Sequence, residues 1–447
     1  MRIEPPRNVT FALLAAGLAA CSTAPQPTAE DLRAWFAKPA ASRGPAPETP
    51  SAMTRAEADT WRDLVVAACR DAMRTNGADD LVTASTTATD AQQGEVRIGE
   101  FTMPYVLLQK GERPANGWPL WICLHGGGGN DQADGPHGWS VNTREWDAQK
   151  RLFAKVYSGS GLYFIPRMAD DRRGRWWFDH NQVAFDEVIR KSILFRDVDP
   201  DRVYLMGISE GGYGAIRFAG NRPDRYAACG GMAAAEPLST SPPENMRNVA
   251  LRIDIGEKDS MFDRIGLARR MGERLAQLRA EDASGYDHDL HVQKGRGHGI
   301  DYSLTPKWLA TKTRQPRPTH VVWRVLPFDS SVELRSHWLA LTERPKRMPL
   351  EIRASIEGQR ITITATLDAE PSDASSQRAP SLEGTLLVRL DDSMLDLDQP
   401  VELMVNGVAR PAVRAARSLA TMARTMDERW DPKGVFVAEI AVPLARE

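Results

Sequence analysis

The chain has 447 residues, with 57 basic and 59 acidic side chains and a formal net charge of −2. A chain of this length is long for one domain and natural for two. The near balance of charge argues against nucleic acid as a partner, because proteins that bind nucleic acid carry a basic excess.

The N-terminus has the features of an export signal. A basic start precedes an apolar run over residues 9–18, which is too short to span a membrane. The small residues before Cys21 resemble the bacterial lipobox, whose cysteine is diacylated, and Ser22 resembles the sorting rule for outer-membrane lipoproteins. This resemblance implies a signal peptide over residues 1–20, lipidation of Cys21 and an exported lipoprotein anchored at the cell envelope. An ordinary signal peptide with a chance cysteine is the alternative.

The segment after the signal is predicted to be a tether. Residues 21–52 are rich in Pro, Ala, Ser and Thr, apart from an apolar patch at Leu32, Trp35 and Phe36. Such a composition does not bury a core and predicts a semi-extended linker. Apolar residues at helical spacing then predict a helix over 54–73, which we assign to packing within the domain that follows.

Two strand-to-turn segments carry the chemistry of the central region. An apolar run over residues 121–124 leads into the glycine run 126–129, whose N–H groups could face a developing oxyanion. A second run, residues 203–206, leads into Gly-Ile-Ser-Glu-Gly at residues 207–211. Gly-x-Ser-x-Gly between a strand and a helix is typical of a nucleophile elbow, so Ser209 is the candidate nucleophile.

Two further candidates follow predicted strands. Asp259 comes after the apolar run 249–255, and His298 comes after the run 290–294. Functional groups of parallel sheets collect at the carboxyl ends of the strands, so we expect Ser209, Asp259 and His298 to meet there.

Other residues compete for these roles. The alternatives are Asp254 and Asp263 for the acid and His288 and His291 for the base. In addition, Asp287, Asp289 and His291 alternate along one strand and would suit a metal ion. We disfavour a metal site because no second ligand cluster supports it.

The chain order Ser209, Asp259, His298 is that of the α/β-hydrolases. Over roughly residues 95–315, the chain resembles the carboxylesterase, feruloyl-esterase and polyhydroxybutyrate-depolymerase-like branch of that superfamily. The resemblance implies a mostly parallel sheet flanked by helices and a carboxylic-ester hydrolase that acts on small-molecule or polysaccharide esters. A serine, histidine and aspartate suffice for this chemistry, so we expect neither a metal nor an organic cofactor.

The surroundings of the nucleophile supply further candidates. The oxyanion would rest on the backbone N–H of Glu210 and on one from Gly127 or Gly128. The loop after the predicted strand 162–165 should overhang the serine. Its aromatic side chains are candidates for substrate contact, with core packing as the alternative: Trp176, Trp177 and His180.

The sequence changes character after residue 318. Alternating apolar residues and tight-turn signals predict a β-rich, sandwich-like domain over residues 319–447, next to a hydrolase domain over residues 53–318. We expect this accessory domain to brace the hydrolase, with carbohydrate or polymer binding as the alternative.

Together these features predict a surface-tethered serine hydrolase that cleaves carboxylic esters. A prolyl-oligopeptidase-like peptidase is one alternative, since its elbow also ends in Gly-Gly-Tyr, and a non-catalytic surface binding module is another. We expect Cys69, Cys123 and Cys229 to be buried thiols, with one disulfide among them as the alternative.

Overall fold

The computed structural model of the chain describes residues 26–49, 51–368 and 382–445. The predicted signal peptide and Cys21 lie outside these residues. Across the described part of the chain, no helix combines the length and the apolar character needed to cross a membrane.

Two helices precede the central domain. They are α1 (Ala29–Ala37) and α2 (Arg55–Thr75). Helix α1 begins with a capping box, in which the Thr28 side chain accepts from the Asp31 N–H and the Asp31 carboxylate accepts from the Thr28 N–H. Helix α2 begins with the same arrangement. A capping box satisfies backbone donors that a helix leaves free, so both starts are fixed by local sequence.

An eight-stranded sheet forms the centre of the molecule. Its strands are β1 (Gln93–Ile98), β2 (Phe101–Lys110), β3 (Trp118–Leu124), β4 (Gly161–Pro166), β5 (Val198–Ile208), β6 (Ala228–Met232), β7 (Ala250–Gly256) and β8 (His288–Gln293). They lie in the order β1-β2-β4-β3-β5-β6-β7-β8. Strands β3 to β8 pair in parallel, and β2 is antiparallel to both of its neighbours.

Helices cover both faces of this sheet. They are α3 (Ser140–Lys155), α4 (Asp179–Phe195), α5 (Glu210–Asn221), α6 (Arg264–Glu281) and α7 (Leu304–Leu309). Successive side chains of a strand point to opposite faces. In β3, Ile122 therefore packs in the core beneath α4, α5 and α6, while Trp121 and Cys123 pack beneath α3 and α7. The predicted mostly parallel sheet flanked by helices is confirmed.

The C-terminal region is β-rich, as predicted. Its elements are β9 (His320–Val325), β10 (Pro327–Phe328), β11 (Ser331–Val332), β12 (Arg335–Ser336), β13 (Leu339–Leu341), β14 (Leu350–Glu357), β15 (Arg360–Leu367), β16 (Thr385–Leu390), β17 (Val401–Val405), β18 (Val408–Val413), α8 (Leu419–Arg429) and β19 (Ala438–Pro443). One sheet has the order β18-β17-β15-β14-β9 and another the order β12-β13-β16-β19. Their apolar faces share one core, which makes a sandwich.

The prediction of a tether over residues 21–52 is wrong for its described part. Leu32 and Phe36 of α1 are fully buried, in the same core as the strands of the accessory domain. The segment after α1 is also held, because the Glu48 carboxylate accepts from the Leu419 N–H at the start of α8 at 2.9 Å. Average composition concealed a short capped helix whose apolar side chains lie on one face.

Helix α2 packs in a different domain from the one predicted. Its buried residues Val65, Ala68 and Cys69 lie in the core of the accessory domain, and the helix packs against α1 and α8. Assigning it to the hydrolase domain over residues 53–318 was therefore wrong. Helical spacing identifies a buried face, but it does not identify the partner that covers this face.

Buried charges join the hydrolase sheet to the accessory domain. Arg314 donates to Asp201 at the start of β5 at 3.0 Å and to Asp431 beyond α8 at 2.7 Å. Nearby, Asp224 accepts from the His337 N–H at 2.8 Å and forms an ion pair with Arg429 at 2.5 Å. These contacts fix the two regions against each other.

The three described cysteines, Cys69, Cys123 and Cys229, are buried free thiols, as expected. Burial raises the pKa of each thiol, because a thiolate would lose its hydration there. They contribute to packing as small apolar groups.

Candidate active site

Ser209 lies on a strained turn between β5 and α5. Its backbone has φ 53° and ψ −115°, a conformation that non-glycine residues rarely adopt. The flanking glycines are required by space: a Cβ on Gly207 would lie 2.2 Å from the Gly211 carbonyl carbon, and one on Gly211 would lie 2.4 Å from the Leu124 oxygen. The predicted elbow is present, and it raises the serine at the carboxyl edge of the sheet.

The structure brings the three predicted catalytic residues together. The Ser209 hydroxyl lies 3.1 Å from His298 Nε2, which is placed to accept its proton. On the other side of the ring, Nδ1–H of His298 donates to Asp259 Oδ2 at 2.7 Å. The His298 side chain is 45% exposed and that of Asp259 only 3%. A buried carboxylate is thus bonded to an imidazole that solvent can reach.

Two residues that the sequence analysis did not single out hold the acid in place. Arg264, at the start of α6, donates to Asp259 Oδ1 at 3.0 Å and to the Tyr213 hydroxyl at 2.6 Å. Tyr213 lies one helical turn after Ser209 and donates its N–H to the Ser209 carbonyl at 3.0 Å. Arg264 therefore connects the acid to the helix that begins at the nucleophile. No sequence motif indicates this role for Arg264.

The competing acids have other partners. Asp254 is fully buried within β7, where it accepts from Arg252 at 2.6 Å and from the Thr305 hydroxyl at 2.5 Å. Asp263 forms an exposed ion pair with Arg270 at 2.6 Å. The structure therefore places Asp259, and neither of these carboxylates, on the imidazole of the base.

Two of the suggested metal ligands, Asp287 and Asp289, are also engaged. Asp287 accepts from Lys312 at 2.6 Å and from Arg279 at 3.0 Å, and Asp289 is paired with Arg252. The alternative base His288 directs Nδ1 at the Tyr286 carbonyl, at 2.8 Å. These carboxylates bind cationic side chains of the fold.

The glycine run after β3 lies beside the nucleophile. A Cβ on Gly126 would lie 3.5 Å from the Ser209 Cβ, and Gly127 and Gly128 both have positive φ. However, the Gly128 N–H donates to the Asn142 side-chain oxygen at 3.1 Å. Gly128 was therefore a wrong candidate for the oxyanion site, because its donor is already used, and Gly127 is left as the candidate from this loop.

The second candidate donor is the backbone N–H of Glu210. Glu210 is the first residue of α5, so its N–H has no acceptor within the helix and lies at the positive end of the helix dipole. Glu210 and Gly127 are therefore the two candidate donors for an oxyanion beside Ser209.

A buried ionic pair supports this loop from behind. The Asn142 side-chain oxygen accepts from the Gly128 N–H, and its nitrogen donates to the Gly128 carbonyl. The same nitrogen also donates to Asp171 at 2.7 Å. Arg167 donates to both oxygens of Asp171, each at 2.7 Å. Although burial opposes ionisation, the hydrogen bonds from Arg167 and Asn142 hold the pKa of Asp171 below its usual value.

The arrangement of strands and catalytic residues decides the fold. Ser209 follows the fifth strand, Asp259 the seventh and His298 the eighth, in a sheet whose second strand is antiparallel to its neighbours. The chain has the α/β-hydrolase fold. This assignment rests on connectivity together with the elbow geometry.

No family model matches this chain. Among curated proteins it is similar to "Putative esterase NocK" of Nocardia uniformis subsp. tsuyamanensis, with 31% identity over 156 residues. The match covers 34% of this chain and 43% of the relative, so the chain spans less than half of the relative that it matches.

Several solved structures are distantly similar. A thermostable esterase has 21% identity and a TM-score of 0.38, covering 51% of this chain and 64% of its own. Thermogutta terrifontis esterase 2 has 16% identity and a TM-score of 0.36, covering 50% and 91%. A ferulic acid esterase has 15% identity and a TM-score of 0.34, covering 50% and 97%. With scores this low, these likenesses add nothing to the assignment.

Two of the three residues predicted to contact substrate are buried. Trp176 is fully buried and donates its indole N–H to the His125 carbonyl at 3.0 Å, so it is a core residue. His180 is 6% exposed and stacks on Phe101 with ring centroids 4.1 Å apart, beside β2, which is three places from β5 in the sheet. Both predictions are wrong because loop composition did not reveal which aromatic faces were covered.

Trp177 remains a candidate for substrate contact. It is half-buried, and the Arg217 guanidinium lies 3.8 Å from the centre of its ring. On the same loop, Arg175 lies 5.7 Å from that ring and contacts the side chain of Glu210. This part of the loop therefore reaches the residue next to the nucleophile.

Proposed function

We propose that this chain is a serine hydrolase that cleaves carboxylic esters through an acyl-enzyme. The observation that carries the proposal is the placement of one imidazole between Ser209 and Asp259, at 3.1 and 2.7 Å, on a strained elbow. An isolated serine is a poor nucleophile near neutral pH and needs an adjacent base. His298 is in reach to serve as that base.

In the acylation step, Ser209 Oγ attacks the ester carbonyl carbon while His298 Nε2 takes the hydroxyl proton. Asp259 holds the imidazole in the required tautomer and stabilises the imidazolium that forms. Negative charge develops on the former carbonyl oxygen and is met by the N–H groups of Gly127 and Glu210. Loss of one such donor costs on the order of 3 kcal/mol of transition-state stabilisation. Collapse of the intermediate expels the alcohol, which receives its proton from His298.

Deacylation repeats these steps with water as the nucleophile. His298 takes a proton from water, the acyl carbon is attacked, and Ser209 leaves with the proton returned by His298. The exposure of His298 supports this step, because water reaches the imidazole without a rearrangement of the surrounding loops.

We propose further that the natural substrates are small-molecule esters or acyl groups on polysaccharide. An open site supports a polymeric substrate, since a half-exposed base is accessible from a long chain as well as from a small ester. The similarity to a relative named as an esterase supports ester chemistry in the shared region.

We also propose that lipidation of Cys21 holds the enzyme at a membrane of the cell envelope, on the strength of the lipobox resemblance. Incorporation of labelled palmitate that Cys21→Ser abolishes tests this anchor.

A hydrolysis panel tests the reaction itself. Short nitrophenyl esters, feruloyl and acetyl sugars and proline-containing peptides are assayed with the wild type and with Ser209→Ala. We expect turnover of esters that disappears in the variant. Turnover of peptides without esters would favour a peptidase, and no turnover of any substrate would favour a binding module; either result contradicts the proposal.

A further inference from the structure

Arg175 presents unused hydrogen-bond donors at the edge of the active site. Its guanidinium donates to Glu210 Oε2 at 2.6 Å and is 45% exposed. Among the described residues this carboxylate is its only hydrogen-bond partner, and a guanidinium carries five N–H donors. A Cβ on Gly128 would lie 3.3 Å from Arg175 Nη1, so the cation lies directly against the glycine run of the oxyanion site.

The backbone that carries Arg175 is fixed. Its carbonyl oxygen accepts from the Asn181 side chain at 2.8 Å. The preceding residue, Gly174, packs so closely on the glycine run that a Cβ there would lie 2.1 Å from the Gly128 oxygen. A cation on such a support is pre-organised, since little backbone freedom remains to be lost when it binds an anion.

The charges around Arg175 leave the cluster positive near neutral pH. Glu210 is 3% exposed, one of its two oxygens has no hydrogen-bond partner, and burial raises its pKa to about 7. Burial also raises the pKa of Glu236, which pairs with Arg217 at 2.9 Å. Two guanidiniums that remain charged thus face two carboxyls that burial makes harder to ionise.

We propose that Arg175 is a specificity-determining residue that receives a carboxylate of the substrate. The enzyme then prefers esters that carry negative charge close to the scissile bond. A guanidinium and a carboxylate form charge-assisted hydrogen bonds, and the free edge of Arg175 allows two in parallel. The half-buried side chain of Trp177 lies next to this guanidinium and offers apolar surface to the rest of the substrate. The inference rests on the proposed ester hydrolysis.

Paired substrates test this inference. On the acyl side, nitrophenyl hemiglutarate is compared with nitrophenyl pentanoate; on the alcohol side, acetoxybenzoate is compared with phenyl acetate. In at least one pair, Arg175→Gln should lower kcat/KM for the charged ester about 10-fold, mainly through KM, as loss of a charge-assisted hydrogen bond does. The neutral partner should change less than about 2-fold, and Arg175→Lys should recover part of the loss.

Arg217→Gln is the matched control, because Arg217 stacks on the same tryptophan but is 21% exposed and bound to Glu236. It should leave the ratio of charged to neutral turnover unchanged. In the wild type, raising the ionic strength should raise KM for the charged ester alone, which tests the inference without any variant.

Equal effects of Arg175→Gln on both members of both pairs, or no salt dependence in the wild type, would overturn the assignment of Arg175. In either case the wild type would still hydrolyse the neutral esters, so the proposed function would stand. Failure of the proposed function would instead appear as no turnover of any ester by the wild type.

Discussion

The active-site edge and the interface with the accessory domain use similar polar side chains in opposite ways. At the edge, the imidazole of His298 bonds to one group on each side and remains half exposed. At the interface, Arg314 and Asp224 are buried. Arg314 binds carboxylates from both regions, and Asp224 of the hydrolase region is bound by His337 and Arg429 of the accessory domain.

The difference shows how polar side chains that react are held differently from polar side chains that join the two regions. Reactive groups keep a small number of aligned partners and access to solvent, whereas structural charges are desolvated and held by several contacts. Removing a reactive group should abolish turnover in a folded protein. Removing a structural charge, or a residue of the core around it, should lower the free energy of unfolding and leave turnover by the folded fraction intact.

The largest expected effect is on the triad. Ser209→Ala and His298→Ala should each lower kcat on a short nitrophenyl ester by about 10⁴-fold or more, because the three residues act as a unit. Asp259→Asn should cost less, since it disturbs the tautomer of the base while the nucleophile remains. Circular dichroism should show all three variants folded.

Asp263→Asn is the control for the acid, because Asp263 is an exposed carboxylate close to Asp259 in sequence. It should retain wild-type turnover. A crippled Asp263→Asn beside an active Asp259→Asn would refute the assignment of the acid.

The next effect concerns stability. Phe36→Ala should lower the free energy of unfolding by about 3–5 kcal/mol, since it leaves a cavity in the core that α1 shares with the accessory domain. Urea denaturation measures this change. The exposed Arg33→Ala on the same helix should change stability by less than about 0.5 kcal/mol. Equal stability of Phe36→Ala and the wild type would restore the tether interpretation.

A smaller effect compares one buried histidine from each region. Burial lowers the pKa of His125, beside the glycine run, to about 3 and that of His337, at the interface, to about 4. An unfolded chain protonates histidine near pH 6.5. As pH falls from 6.5 to 4, the unfolded chain therefore gains protons that the folded chain does not, and the free energy of unfolding falls.

Each such histidine contributes up to about 1.4 kcal/mol per pH unit in this range. His337→Asn should remove its share of the slope, because asparagine tolerates the positive φ at this position. Urea denaturation at several pH values measures the slope. An unchanged slope in His337→Asn would mean that this histidine titrates normally in the folded chain.

The sequence predicted the parts of the molecule that local patterns determine. Ser209, Asp259 and His298 each follow a recognisable strand, and parallel strands end at one edge, so their meeting followed from chain order alone. The alternation of apolar residues and the tight-turn signals likewise predicted the β-rich C-terminal region.

The wrong predictions share a cause, because local sequence patterns do not identify the tertiary partners of a residue. Helix α1 was hidden in a proline-rich segment, and α2 showed an apolar face without showing that the accessory domain covers it. Gly128 and Trp176 occur where a functional residue was expected, but hydrogen bonds with Asn142 and His125 use them for support. Arg264 has no motif at all, because its contact with Asp259 arises from the path of the turn before α6.

The central claim is that Ser209 is an activated nucleophile, and covalent labelling tests it most directly. The full chain is treated with a fluorophosphonate, which modifies activated serines, and digested for mass spectrometry. We predict one adduct on the peptide that contains Ser209, absent in Ser209→Ala and formed much more slowly in His298→Ala. No adduct on the folded wild type, or undiminished labelling of Ser209→Ala, would contradict the account.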